Sequence, residues 1–264
     1  MTEWTKTIDE AISKYIRPAT FPVAVKFFRE GEELPERTKV PTRDLGHSLA
    51  ICQGMTIVRK YGWSLAFYQQ DQACPIAQVI LGYKEEPDFI KNGSLVKPLY
   101  VNNDGAAVKT QSSTPKMPKA DTYCIVMSPL HLCAFDPDVV VCYGNSAQIT
   151  RFVQGALHQE GGYIESRFAG RGACGAEIVV PVVQGKCNVI IPGGGERIFA
   201  LTGDDELAFA MPAAKADEVM AGLAATHKGG VARIPTPVAG VNIKPVFPKY
   251  YRPLEEYCSL RDQQ

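Results

Sequence analysis

"PDVVVCYGNSAQITRFVQGALHQEGG" (residues 137–162) decides the fold class, because its two halves obey different rules. The first half is a near-continuous apolar run of the kind found in the middle of a sheet. The second half reads as a helix, with Asn145 or Ser146 at its N-cap and glycines at its end. Strand and helix therefore follow one another directly.

Working outward, "DTYCIVMSP" (121–129) is a second buried strand, and "FPVAVKFFRE" (21–30), entered through Pro22, is a third. "SLAICQGMTIVRK" (48–60) has helical spacing, with Leu49, Cys52, Met55, Ile57 and Val58 near one face. "YGWSLAFYQQ" (61–70) fits a strand or a crossing segment. Cys74 and Pro75 open a further helix that Gly82 ends, and residues 84–120 read as loop, "KTQSSTPKMPK" most of all. Trp4, Ile8, Ile12, Tyr15 and Ile16 lie on one face of an N-terminal helix that does not resemble a signal peptide. "RGACGAEIVVPVV" (171–183) starts in a glycine-rich turn. "KCNVII" (186–191) and "RIFALTG" (197–203) read as strands joined by "PGGGE", and "ELAFAMP" (206–212) as another strand. "AAKADEVMAGLAATHKGG" (213–230) is the final helix. Beyond Gly230, Pro235, Pro237, Pro245, Pro248 and Pro253 leave no helical period. The expectation is a single α+β (mixed α/β) domain over residues 1–230 with a mixed sheet, and an extended Pro-rich arm over 231–264 that joins copies into a homo-oligomer.

The 264 residues are 45% hydrophobic, enough for one large domain, and Lys plus Arg equals Asp plus Glu at 28 each. No basic field is available for nucleic acid or an acidic membrane. No apolar stretch reaches the roughly 18 residues that a span needs, so a cytoplasmic location is expected, with free thiols among the 8 cysteines.

Cys124, Cys133 and Cys142 sit in or beside apolar strands and read as small hydrophobes, and Cys258 lies in the arm. Cys52, Cys74 and Cys174 differ, because each stands where the backbone turns or a helix begins. At such a start, unpaired N–H groups and the helix dipole favour a thiolate. Cys174 stands in "GRGACGAE" beside Arg171, and Cys187 is a weaker fourth candidate. Four thiolates suit zinc or an iron–sulfur cluster, although no C-x-x-C spacing is present.

Other candidates concern anions. "IPGGGER" (191–197) offers Gly193, Gly194, Gly195 and Arg197, but matches no phosphate-loop pattern and reads better as a glycine-rich hairpin. Lys26 is the polar member of "PVAVKF", on the solvent face unless that face is covered. The four histidines form no metal-binding pair.

Together, "PVAVKF", the Cys52 helix, "ACPIAQVILG", "PDVVVCYGNSAQITRFVQGA" and the glycine-rich segment around Cys174 resemble the domain-of-unknown-function 169 family of bacteria and archaea. The resemblance runs from about Phe21 to about Leu223. It implies a soluble cytoplasmic protein common in anaerobes, with cysteines typical at Cys52, Cys74 and Cys174, and a Gly-Asn-x-x-Gln element at Gly144, Asn145 and Gln148. The leading expectation is an iron–sulfur protein, a 4Fe–4S cluster included, with an electron-transfer or redox-catalytic role and a redox partner protein. Alternatives are an enzyme or sensor for a small anionic molecule, with Lys26, Arg171, Arg197, Asn145, Gln148 and the Gly193, Gly194 and Gly195 turn as contacts and Cys74 as nucleophile, and an assembly factor.

Overall fold

A computed structural model describes residues 2–233 and 247–261. Helix α1 (Glu3–Tyr15) leads into β1 (Val23–Phe28), α2 (Ile51–Tyr61), β2 (Leu65–Phe67) and α3 (Pro75–Ile80). Helices α4 (Asp88–Lys91) and α5 (Asp104–Ser112) precede β3 (Cys124–Pro129), β4 (Val139–Gly144) and α6 (Ser146–Leu157). A π-helical turn (Gly175–Val179) runs into α7 (Val180–Gln184), followed by β5 (Asn188–Ile190), α8 (Gly194–Phe199), β6 (Leu207–Pro212), α9 (Ala216–Gly229) and α10 (Arg252–Arg261).

The strands form one sheet in the order β2-β3-β1-β4-β6-β5. The α+β class holds, but the sheet is not mixed: every pairing between these strands is antiparallel. Among the described residues the isolated bridges Lys39↔Leu65 and Leu49↔Gln72 are parallel. β1 and β4 occupy the centre, and all of β4 is buried.

Side chains alternate along each strand, so the sheet divides the core in two. Ala24, Val126, Val140, Cys142, Phe209 and Met211 face α1, α6 and α9. There Phe152 stacks on Phe209 with ring centroids 4.8 Å apart, a burial that stabilises by about 1.5–3 kcal/mol per side chain. α6 and α9 meet through glycines, since a Cβ on Gly222 would stand 2.0 Å from the Gly155 carbonyl oxygen. Val25, Phe67, Ile125, Met127, Val141, Tyr143 and Ala210 face the other way, toward α2, α3 and the π-helical turn. α2 lies close here because Gly54 has no side chain: a Cβ would fall 2.5 Å from the Phe67 ring.

Three expectations fail for local reasons. "RIFALTG" is not a strand: Gly193 is the N-cap of α8, and the Glu196 carboxylate takes the Gly193 N–H at 3.1 Å, so the glycine turn opens a helix. Residues 84–120 contain α5, started by the Asn103 side chain, which accepts the Ala106 N–H at 2.8 Å. The arm includes α10, so it is not extended throughout, and its residues 234–246 lie outside the described part. Among the described residues no helix is long and apolar enough to cross a membrane.

The Gly155–Gly222 contact sets a test. Gly222→Ala should lose about 1–3 kcal/mol in urea unfolding through overpacking. Gly194→Ala, where an added methyl meets nothing within 4 Å, should stay within about 0.5 kcal/mol of the parent.

Candidate functional site

The second face of the sheet differs from the first in carrying charge. Arg59, in the last turns of α2, has a side chain 0% exposed. Its Nη1 and Nη2 donate to the two oxygens of Glu206, at 2.5 and 2.9 Å, and its guanidinium lies 4.1 Å from the centroid of the Tyr143 ring. That pairing holds the Glu206 carboxyl below its ordinary range.

Tyr143, at the end of β4, carries the network onward. Its hydroxyl donates to Glu177 Oε1 at 2.6 Å, and Glu196 Oε1 lies 3.1 Å away. One phenolic proton cannot serve both oxygens, so one carboxyl must carry its own. Burial, then the neighbouring carboxylate, pushes Glu177 well above the ordinary value, and burial raises Glu196. Folding therefore favours the protonated form of the pair over the ionised one.

The thiols stand against this pair. Cys52 is in the first turn of α2, Cys74 is the N-cap of α3, and Cys174 is the N-cap of the π-helical turn. Burial first, then the charges of Glu196, Glu177 and Cys74, pushes the Cys52 thiol up to about 12. Cys174 is raised by burial and then by Cys74, Glu177, Cys52 and Glu196. These mutual influences place the three sulfurs in one neighbourhood. The helix-start argument for a free thiolate fails at Cys52 and Cys174, because desolvation outweighs the dipole there.

One side chain ties two of the starts together. Gln72 is buried, and its Oε1 accepts the N–H of Ile51 at 3.2 Å and that of Cys74 at 3.0 Å. The bridge between Leu49 and Gln72 sets the two segments side by side. The Gln72 Nε2, also buried, has no partner among the described residues.

Arg171 closes the opposite side. It lies within the electrostatic reach of Tyr100, Cys174 and Cys74, its Nη1 donates to Gln111 Oε1 and Thr114 Oγ1 at 3.2 and 3.3 Å, and it faces the Tyr100 ring at 5.6 Å.

The remaining candidates lie elsewhere. Cys187 packs on the α1/α6/α9 side of the sheet, across from the other three thiols. Cys124, Cys133 and Cys142 are buried in that same core, and Cys258 is exposed. Lys26 shares the face of Ala24 and Phe28, its Nζ 5.4 Å from the Phe28 ring. The glycine turn spends its N–H groups internally, Gly193 on Glu196 and Gly194 on the Gly170 carbonyl at 3.0 Å, and Gly195 stands in the first turn of α8. Arg197 donates to the Gly203 carbonyl at 2.8 Å and pairs with Asp204. Asn145 and Gln148 form a capping box, and Gln148 Nε2 reaches back to the carbonyls of Ile16 and Arg17 at 3.3 and 2.7 Å. Gly144 makes room for that side chain, since a Cβ would lie 2.7 Å from Gln148 Oε1. The Gly-Asn-x-x-Gln element is thus a clamp on the turn after α1 and makes no part of a common anion site. Among the described residues no group of three His, Cys, Asp or Glu is gathered tightly enough to hold one metal ion.

Comparison with known families matches residues 11–222 to DUF169, described as "Uncharacterised ArCR". The chain belongs to the DUF169 family. No curated protein and no solved structure matches it. The DUF169 region contains all of the thiol site and the carboxyl pair, and ends before the arm.

Glu177 and Glu196 escaped the sequence reading. The available signal was a single acid in the apolar run "GAEIVVPVV" and a glutamate three residues after Gly193.

The shared proton predicts a pH dependence. Unfolded, both carboxyls titrate near 4.5; folded, both are raised. Above that ordinary value the folded chain binds more protons than the unfolded one, so stability falls as pH rises, until the folded pair gives up its proton. Glu177→Gln should flatten most of that slope in urea midpoints taken from about pH 5 to about pH 9. A slope equal to the parent's would mean that no proton is shared.

Proposed function

We propose that this DUF169 chain is a cytoplasmic iron–sulfur protein in which Cys52, Cys74 and Cys174 each take one iron of a four-iron cluster, serving electron transfer or redox catalysis. The convergence of three thiols from three helix starts on one face of the sheet carries this reading. Burial that penalises a free thiolate favours a bound one, because a coordinated sulfur loses its proton to the metal. The orphaned Gln72 Nε2 supplies a buried N–H for a cluster sulfide.

Such a cluster would supply single-electron transfer, and Cys52, Cys74 and Cys174 would hold it with a place left over for a substrate atom. Around it the chain's own groups divide the work. Glu177 and Glu196 hold a proton between them at Tyr143, in reach of a reaction that couples proton to electron. Cys187 has no part in the site.

A second reading, a metal-free site with a reactive Cys74, draws on Arg171 beside that residue. One preparation separates the two. Protein purified without oxygen should contain about four iron and about four acid-labile sulfides per chain, with visible absorption that bleaches on reduction. Cys52→Ser, Cys74→Ser and Cys174→Ser should each lose roughly half of that iron or more, and Cys187→Ser should keep it. Colourless, iron-free protein would sink the cluster reading, as would equal loss in Cys187→Ser. Rapid alkylation of Cys74 in such protein would select the second reading.

A further inference from the structure

Beside the thiol site lies a recess of about 370 Å³ whose lining is one-sided in charge. Lys109 in the last turn of α5, Arg167 in the segment before the glycine-rich turn, and Arg171 all line it, and no aspartate or glutamate does. None of the three cations makes an ion pair with a carboxylate among the described residues.

Arg171 is the informative member. It is half-buried, and its hydrogen bonds go to the neutral groups of Gln111 and Thr114. A guanidinium taken partly out of water without a counter-charge is costly, and desolvation lowers its pKa here. Contrast Arg59, whose burial is matched by Glu206 on two hydrogen bonds. A fork of N–H donors left without its acid, at the wall of a cavity, is the arrangement that receives a carboxylate or phosphate from outside. The recess also presents the rings of Tyr100 and Phe168, which are 49% and 54% exposed. Exposed rings beside cations suit a flat apolar body attached to the anionic group. The volume falls in the range of small-molecule sites, roughly 300–1,000 Å³.

We infer that this recess binds a small organic anion, with its carboxylate or phosphate on Arg171 and Arg167 and its apolar body against Tyr100 and Phe168. Because Arg171 also borders Cys74 and Cys174, the anion would be the substrate of the thiol site, and that last step rests on the iron–sulfur reading. The binding itself does not.

The test uses 2-naphthoate and its uncharged analogue 2-naphthamide, titrated against the full chain by calorimetry and by probe fluorescence, in iron-free and in anaerobically purified protein. The acid should bind at least about tenfold more tightly than the amide, a difference carried by charge-assisted hydrogen bonds. Arg171→Gln should remove that preference. Arg167→Gln, at an exposed position, should weaken it by about three- to tenfold without disturbing the fold. Equal binding of acid and amide, no binding of either, or full retention of the preference in both variants overturns the proposal. Preferential binding in protein that never holds iron keeps the anion site and removes only its link to a cluster.

Discussion

A guanidinium with no exposed surface sits in the middle of this domain, and much of the second layer follows from the need to satisfy it. Arg59 enters the core on α2, so the start of β6 must bring Glu206 to meet it on both nitrogens. Its face then covers Tyr143, which fixes the end of β4 beneath the end of α2. A tyrosine hydroxyl buried there needs hydrogen-bond partners, and it has Glu177 and Glu196 within reach, from two segments that would otherwise bury unpaired acids. Four separate pieces of chain are thereby held to one charge. The carboxyl end of this chain of contacts acts on Cys52 and Cys174, and Cys174 and Cys74 act in turn on Arg171.

The two faces of the sheet do different work. Toward α1, α6 and α9 the contacts are between long helices, glycine on glycine and ring on ring, with cysteines used as small apolar filler. Toward α2 and α3 the helices other than α2 are short, and what they offer the interior is their beginnings. Short helices are poor stabilisers on their own account, yet the starts of α3 and of the π-helical turn each hold a thiol at a fixed place. Gln72 illustrates the difference: a single buried carbonyl oxygen accepts from the starts of α2 and α3 and so sets Cys52 relative to Cys74.

What could be read from the sequence was local. The apolar run at Val139–Tyr143 and the cap at Asn145 announce strand and helix because period and capping act within a few residues. Cys52, Cys74 and Cys174 could be placed at or near helix starts for the same reason, since a helix start is a local feature. "RIFALTG" misled because Ile198 and Phe199 favour strands, while the cap formed by Gly193 and Glu196 just upstream decided for helix. α5 was hidden because it turns only Ala107 and Gln111 fully inward, too weak a pattern to stand out among polar residues. Glu177 looked like an interruption of an apolar run; its meaning depends on Tyr143, 34 residues away in the chain. Gln148 stood out only as part of the Gly-Asn-x-x-Gln element; its hold on Arg17 spans 131 residues, and no periodicity encodes that.

Cys187 shows why residue type and turn position alone do not assemble a site. It precedes β5, just as Cys174 precedes its helical turn, and it is as polarisable and as free. One register position decides between them. Asn188 and Ile190 pair with Ala210 and Ala208, on the face that holds the thiols, so pleating throws Cys187 and Val189 to the other side. A slip of one residue in β5 would have brought a fourth thiol to that face. The observed register instead packs Cys187 among the side chains of the α1, α6 and α9 side.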